Sequence, residues 1–250
     1  MATLGGFCFV INAIRFDYCF EEAIGSMLEC CDQVVVVDAG SDDGTLQSLQ
    51  LWALRSSKLK VISYPIELWD SLHGKTKLAH FQNLAIDHLT TDYQLLCQAD
   101  EVIAEDSYKA IREAVERGEE GYMCSRINLW GDPYHELCVP QSRMPCSPQV
   151  IRLTKRGYKT YDDGENISCQ ASFQYVDKIK IWHMGFVRDK KVMKGKIINM
   201  QTRVFEMGHD PKLDNMDIFN PWMWFDPSND VKPITESLPR IVQKWAMDRE

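Results

Sequence analysis

A chain of 250 residues, 45% hydrophobic and 26% charged, is long enough for one large globular domain and too polar to be mostly membrane-embedded. No apolar run reaches spanning length, and no basic leader with an apolar core and small-residue cleavage site opens the sequence, so neither a membrane span nor a signal peptide is expected. Nine cysteines, an odd number without CxxC spacing, fit free thiols and a cytoplasmic location rather than a disulfide framework.

Strands and helices alternate through the first half. GFCFVI (6–11) reads as a strand and Tyr18 to Cys30 as a helix with apolar positions at helical spacing. VVVVD (34–38) follows; four consecutive β-branched residues cannot alternate, so both faces of that strand are expected to be covered, as in a parallel sheet. A helix begins near Asp42, with Ser41 or Asp42 as its cap. KLKVISY (58–64) is a third strand, Lys75 to Leu89 a helix, and YQLLCQ (93–98) a fourth strand ending at ADE. A helix from about Asp106 to Arg117 and the strand GYMCSRINLW complete a β-α-β-α-β-α-β order, which predicts a parallel, three-layer α/β sheet.

The second half has another character. Pro133, Pro140, Pro145 and Pro148 break the region after Trp130 into loops or short strands. PQVIRLTKRGYKTYDDGENIS reads as a strand, a turn and an acidic loop, VDKIKIWHMGFV as a half-buried strand, and Lys191 to Met207 as a helix. The aromatic, proline-rich tail reads as a strap or a lid. Without a repeat or a low-complexity linker, one domain over 1–250 is expected: 1–130 a ligand-binding half, 131–209 a catalytic half and 210–250 the tail. Charge is uneven. Twelve Lys or Arg against five Asp or Glu lie between Ile151 and Arg203, with RDKKVMKGK (188–196) the densest part. Such a run is either a solvated face or a surface for a phosphate-bearing ligand.

Four places carry candidate chemistry. Ligands of open α/β sheets sit beyond the carboxyl ends of strands, and Asp38 stands at such an end, where a carboxylate can accept from a base N–H or ribose hydroxyls while Ser41 fixes the turn. Asp42 and Asp43 suit a helix cap. QADE, Gln98 to Glu101, places two carboxylates after another buried strand; they suit a hard divalent cation held against phosphate oxygens, or a solvated helix start. His183, in IKIWHMGF, is either a satisfied structural residue or a metal ligand. Asp162, Asp163 and Glu165 form an acidic turn from which one carboxylate could take a proton from an attacking hydroxyl. Lys75 and Lys77 read as phosphate partners or solvated charges. The sequence lacks GxGxxG, GxSxG and zinc-finger spacings, and its one GKT, at 74–76, has Trp69 where the GxxxxGK[ST] phosphate loop needs its first glycine, which disfavours dinucleotide, hydrolase, zinc-finger and P-loop readings.

These segments together resemble the family 2 nucleotide-sugar glycosyltransferases of the GT-A fold, over residues 6 to 200. FVINAIRFDYCFEEAIGSMLECCDQVVVVDAGSDDGT is similar to the family's N-terminal strand, helix and VD-x-G-S-x-D-G-T pattern. FQNLAIDHLTTDYQLLCQADEVI resembles the unit leading into its Asp-x-Asp metal motif, VIRLTKRGYKTYDDGENI its Arg-Leu strand and acidic loop, and IWHMGFVRDKKVMKGK a His-x-Gly-x-Val-Arg segment of a bacterial and phage branch. The resemblance implies a mostly parallel, Rossmann-like three-layer sheet with an irregular acceptor-side C-terminal half. It also implies transfer of a sugar from a nucleotide-diphosphate-sugar donor, foremost a UDP-sugar, by an inverting, metal-assisted route.

On this resemblance Asp38, Asn12, Ser41, Lys77, Gln98 and Arg188 serve the donor; Asp100, with Glu101 or His183, holds Mn²⁺ or Mg²⁺; and Asp163 or Glu165 is the general base. Two departures touch the donor and metal motifs, Gln98 standing where many members carry the first metal-motif Asp and Ala39 replacing a frequent second acid; a third is Gln82, before Asn83, where a basic residue is common. The acceptor is a glycan or lipid-linked saccharide, or a hydroxymethylated base in phage DNA that leaves its stack. The competing reading, favoured by the two departures, is a non-catalytic nucleotide-sugar or nucleic-acid binding module. Sugar, nucleobase and oligomeric state are left open.

Overall fold

The valine run sends alternate side chains to opposite faces of one sheet. In the computed structural model, which describes residues 1–138, 147–168, 173–214, 217 and 230–249, Val34 and Val36 join one core cluster and Val35 and Val37 another, all four fully buried. Each such side chain stabilises the fold by roughly 1.5–3 kcal/mol relative to its exposed state.

The first half runs β1 (Leu4–Val10), α1 (Phe20–Cys30), β2 (Gln33–Asp38), α2 (Thr45–Arg55), β3 (Leu59–Ser63), α3 (Ile66–Ser71), α4 (Thr76–Asp87), β4 (Tyr93–Leu96), β5 (Glu101–Ile103), α5 (Tyr108–Arg117) and β6 (Gly121–Trp130). The second half has β7 (Asp132–Cys138), β8 (Gln149–Lys155), β9 (Lys159–Tyr161), β10 (Asn166–Ser168), β11 (Gln174–Phe186) and α6 (Lys190–Asn199), which continues as a π-helical turn over Met200–Val204. After it come β12 (Asp230–Pro233) and α7 (Arg240–Met247).

Among the described residues the main sheet orders its strands β12-β7-β6-β8-β4-β1-β2-β3. The block β3-β2-β1-β4 is parallel, as the alternating pattern predicts. β6, placed by that pattern in the parallel series, differs: β8 inserts between β4 and β6 and runs against both. β11 pairs in parallel with β6 and antiparallel with β5, off the main path.

Helices close both faces. Ile24 and Met27 of α1 and Ile111 and Val115 of α5 pack with Val34, Val36 and Leu95, while Phe81, Ala85 and Ile86 of α4 pack with Phe7, Val35, Val37 and Leu96. Val242 and Trp245 of α7 cover Trp182 and Met184 of β11.

Several local expectations change. The helix expected near Asp42 starts at Thr45, after Gly44 at φ 97°, and neither Ser41 nor Asp42 caps it. Asp43 takes that part: its Oδ1 accepts from the Thr45 N–H at 3.0 Å and from the Thr45 hydroxyl at 2.6 Å. α3, absent from the sequence reading, begins directly after Pro65 and buries Trp69. The seven described cysteines are free, and all but Cys138 are buried, including Cys30 and Cys31 with their sulfurs 3.8 Å apart. No described helix is long and apolar enough to cross a membrane. Of the tail, 218–229 lie outside the described residues, as do Pro140 and Pro145.

Candidate functional site

A cleft of about 260 Å³ opens beyond the carboxyl ends of β1 and β4, lined on its polar side by Gln98, Asp100, Asp163, Glu165, His183 and Lys196. Its other walls are apolar, with Phe9, Trp69, Leu78, Met200 and Phe205 among them. A second cavity, of about 340 Å³, shares Ile11, Phe16, Trp69 and Asn199 with it and adds Asn12, Gly40 and Asp42 from the loops after β1 and β2.

Strand register assembles the polar side. His183 of β11 stands opposite Glu101 of β5 and Asn128 of β6, and the Met184 N–H donates to the Asp100 carbonyl at 2.7 Å. His183 Nδ1 lies 3.0 Å from Asn128 Oδ1. An amide oxygen only accepts, so Nδ1 carries the hydrogen and Nε2 faces Asp100 Oδ2, 3.8 Å away. Gly185 keeps this gap open, because a Cβ there would overlap His183 Nε2 and come within 3.1 Å of Asp100 Oδ2.

Lys196, from α6, reaches the same carboxylate: Nζ is 3.0 Å from Asp100 Oδ2 and 3.0 Å from the Gly185 carbonyl, over the face of Tyr18. Burial opposes the Asp100 charge, yet Lys196, His183 and Arg188 hold its carboxyl well below the usual carboxylate range. Burial and then the Arg188 charge push Lys196 down to about 8, against the pull of Asp100.

The neighbouring acids divide sharply. Glu101 is fully buried, with both oxygens bonded to Arg152 at 2.6 and 3.0 Å and one also accepting the Gln98 N–H. It lines neither cavity. Glu165 is gripped by Arg126 and lies 3.6 Å from Arg152, whose Nη1 donates to the Glu165 carbonyl. Burial resists its ionisation, but the two guanidinium groups outweigh that and lower its pKa. Asp163 lines the cleft and accepts the Glu165 N–H at 3.1 Å. Asp162, at φ 57°, points away to Lys75.

The residues expected on the donor side lie in different surroundings. Asn12 and Ser41 stitch the two strand-end loops together: Ser41 Oγ accepts the Asn12 N–H at 2.9 Å, and Asn12 Oδ1 accepts the Asp42 N–H at 3.0 Å. Asp38 is fully buried; Oδ2 accepts from the Gly40 and Ser41 N–H groups, and Oδ1 has no hydrogen-bond partner. Gln98 is in the cleft. Asp38, Ser41, Lys77 and Arg188 are not among the lining residues of either cavity. Lys77 donates to the Arg203 carbonyl at 2.9 Å, and Arg188 sits behind Tyr18, donating to the Phe16 carbonyl at 3.1 Å. The basic run is also engaged internally, since Lys190 pairs with Asp217 and Lys194 with Asp214.

Tyr18, Trp69, Arg126 and Lys196 as individual site residues are absent from the sequence reading. Arg126 and Arg152 carry a signal: Arg126 is the one charge of β6, and Arg152 sits mid-strand in β8, whose other charge, Lys155, is its last residue. Asp100 and His183 suit a divalent cation as a facing oxygen and nitrogen pair with a gap between them. Among the described residues no group of three His, Cys, Asp or Glu gathers there, so phosphate and water would complete such a shell.

No family model and no curated protein matches this sequence. Among solved structures, the chain is similar to S. aureus TarS 1–349 in complex with UDP, at 20% identity and a TM-score of 0.40, over 56% of this chain and 38% of that one. It is similar also to the mannosyltransferase PcManGT from Pyrobaculum calidifontis in complex with GDP-Man and Mn²⁺, at 16% and 0.49, over 85% and 66% of the two chains. GalNAc-T7 with UDP, GalNAc and Mn²⁺ matches at 11% and 0.48, over 81% and 48%. The chain spans 38% and 40% of the first two chains it matches, both TarS.

Proposed function

We propose that this chain is a glycosyltransferase that moves a sugar from a nucleotide-diphosphate donor, foremost a UDP-sugar, to a hydroxyl of a glycan or lipid-linked saccharide, with inversion. The observation that carries this reading is the meeting of Asp100, His183 and Asp163 in one cleft at strand ends, from segments far apart in the chain. Asp38, fully buried and lining neither cavity, keeps one unpartnered oxygen, Oδ1, which would accept a nucleobase N–H once the strand-end loops uncover it. The Asn12–Ser41 stitch holds the loops on which the nucleoside would lie, and Gln98 offers its amide to ribose.

Asp163 is the general base. It removes the proton of the acceptor hydroxyl as the oxygen attacks the anomeric carbon, and the bond to the diphosphate breaks with its electron pair staying on the phosphate oxygen. Glu165, held by its arginines, orients Asp163 through its N–H and is a positioning residue. Lys77 and Arg188 support the cleft walls rather than touch the donor. A divalent cation bound at Asp100 and His183 would supply positive charge toward the leaving diphosphate. Asp217 and Asp214 beside Lys190 and Lys194 reduce the net positive charge of the basic run, which favours a saccharide over DNA as acceptor.

Thermal shift with nucleoside diphosphates, with and without Mn²⁺, followed by nucleotide release from UDP-sugars, tests the reading. A matching nucleotide raises the midpoint, and Asp163→Asn is expected to slow release about 10²- to 10⁴-fold while leaving that shift intact. Undiminished release by Asp163→Asn removes the base assignment. A wild-type protein that binds nucleotide yet releases none from any sugar donor returns the chain to the binding-module reading.

A further inference from the structure

The ammonium of Lys196 occupies a built cation position. Its partners are the Asp100 carboxylate at 3.0 Å, the Gly185 carbonyl at 3.0 Å and the face of Tyr18, 4.7 Å from the ring centre. Negative charge, a carbonyl dipole and a π-face are what a cation seeks in a partly desolvated place. Only 13% of the Lys196 side chain is exposed. The oxygen that Lys196 holds is the one that faces His183 Nε2 across the gap left by Gly185. One carboxylate oxygen therefore serves two claimants, the ammonium and any metal shared with His183.

We propose that Lys196 is the resident counter-ion of Asp100, which a divalent metal must displace, so that metal and ammonium compete for one carboxylate. This builds on the donor-and-metal reading above. Both cations close to the same oxygen would repel each other, and the flexible four-carbon stem of lysine lets the ammonium leave without moving the helix. Lys196 lies on the same helix as Asn199, which lines both cavities, so a displaced ammonium stays within the cleft and finds a new anion in the donor diphosphate. The consequence is coupling: the protein alone holds metal weakly, and the diphosphate, by drawing Lys196 away, strengthens metal binding.

Mn²⁺ titrations followed by electron paramagnetic resonance of the free ion, without nucleotide, test this on the wild type, Lys196→Met, Lys196→Arg and Asp100→Asn, each first checked for an intact thermal transition. Removing the charge is expected to tighten Mn²⁺ binding about tenfold, within the usual range of such couplings. The arginine variant keeps the charge and is expected to stay close to wild type, and Asp100→Asn to lose binding. If Lys196→Met binds no tighter than wild type while Asp100→Asn still abolishes binding, the competition is disproved and the metal site stands. If neither wild type nor Lys196→Met retains Mn²⁺, with or without UDP, the metal reading itself falls and takes the competition with it.

Discussion

Glu165 and Asp163 show how two residues of one acidic turn acquire opposite duties. Glu165 lies between Arg126 and Arg152, so its charge is stabilised and its basicity lowered, whereas Asp163 faces the cleft. A general base works best with a pKa near the working pH, which speaks against Glu165. Its depressed folded pKa has a consequence for stability. The contribution is fully present above the unfolded glutamate value of about 4.3 and is lost as pH falls through the lower folded value. Arg126, Arg152 and His183 act on this carboxyl, while Glu101 shares the same two arginines and Asp163 accepts the Glu165 backbone N–H. Glu165→Gln leaves buried guanidinium charge undercompensated and is expected to cost about 3 kcal/mol at neutral pH in a urea titration. The deficit should shrink toward pH 3, because the wild type loses its own advantage there. At this scale the sequence exposed the acids and left their duties undecided. The arginines that decide them come from β6 and β8, 39 and 13 residues away along the chain from Glu165, a separation without periodic trace.

At the scale of elements, legibility followed burial on both faces. The valine strand, the strand before QADE and the helix over α4 announce themselves because their side chains have one physically acceptable arrangement. β5 did not: three residues hold too little pattern, and Glu101 inside it looks like a loop acid until Arg152 is seen beside it. α3 had a usable signal in Pro65, which stands extended just before its first turn, where the absence of an N–H leaves no helical bond unmade. Its position matters to the cleft, since Trp69 lines both cavities and lies 5.5 Å from Lys77 Nζ. Gly40, at φ 90°, touches the start of this helix so closely that a Cβ would fall 2.6 Å from the Ile66 N and Cα atoms. Gly40→Ala is therefore expected to destabilise the protein by about 2 kcal/mol or more, through backbone strain and displacement of α3. Because α3 carries Trp69, nucleotide affinity should fall alongside. Equilibrium unfolding and a UDP thermal shift on the same variant check both parts.

For the whole molecule, the governing fact is that one sheet carries both halves of the site. β4 bonds in parallel to β1 on one side and antiparallel to β8 on the other, and Leu153, Ile179 and Ile181 of the second half complete a core cluster begun by Val34 and Leu95. The division at residue 130 read from the sequence is thus a change of strand direction within a continuous core. Unfolding is expected as one transition, with far-ultraviolet dichroism and tryptophan fluorescence coincident. Residues 1–130 expressed alone should not fold, since the open side of β4 and the unfinished cluster would face water. A separate earlier transition for the second half would contradict this. The shut-in sulfurs at Cys8, Cys19, Cys30, Cys31, Cys97 and Cys124 give that unity an unplanned use. A thiol reagent reaches them only when the interior parts, so their labelling clocks spontaneous opening without any introduced probe. In a chain that opens all at once, they should react in step.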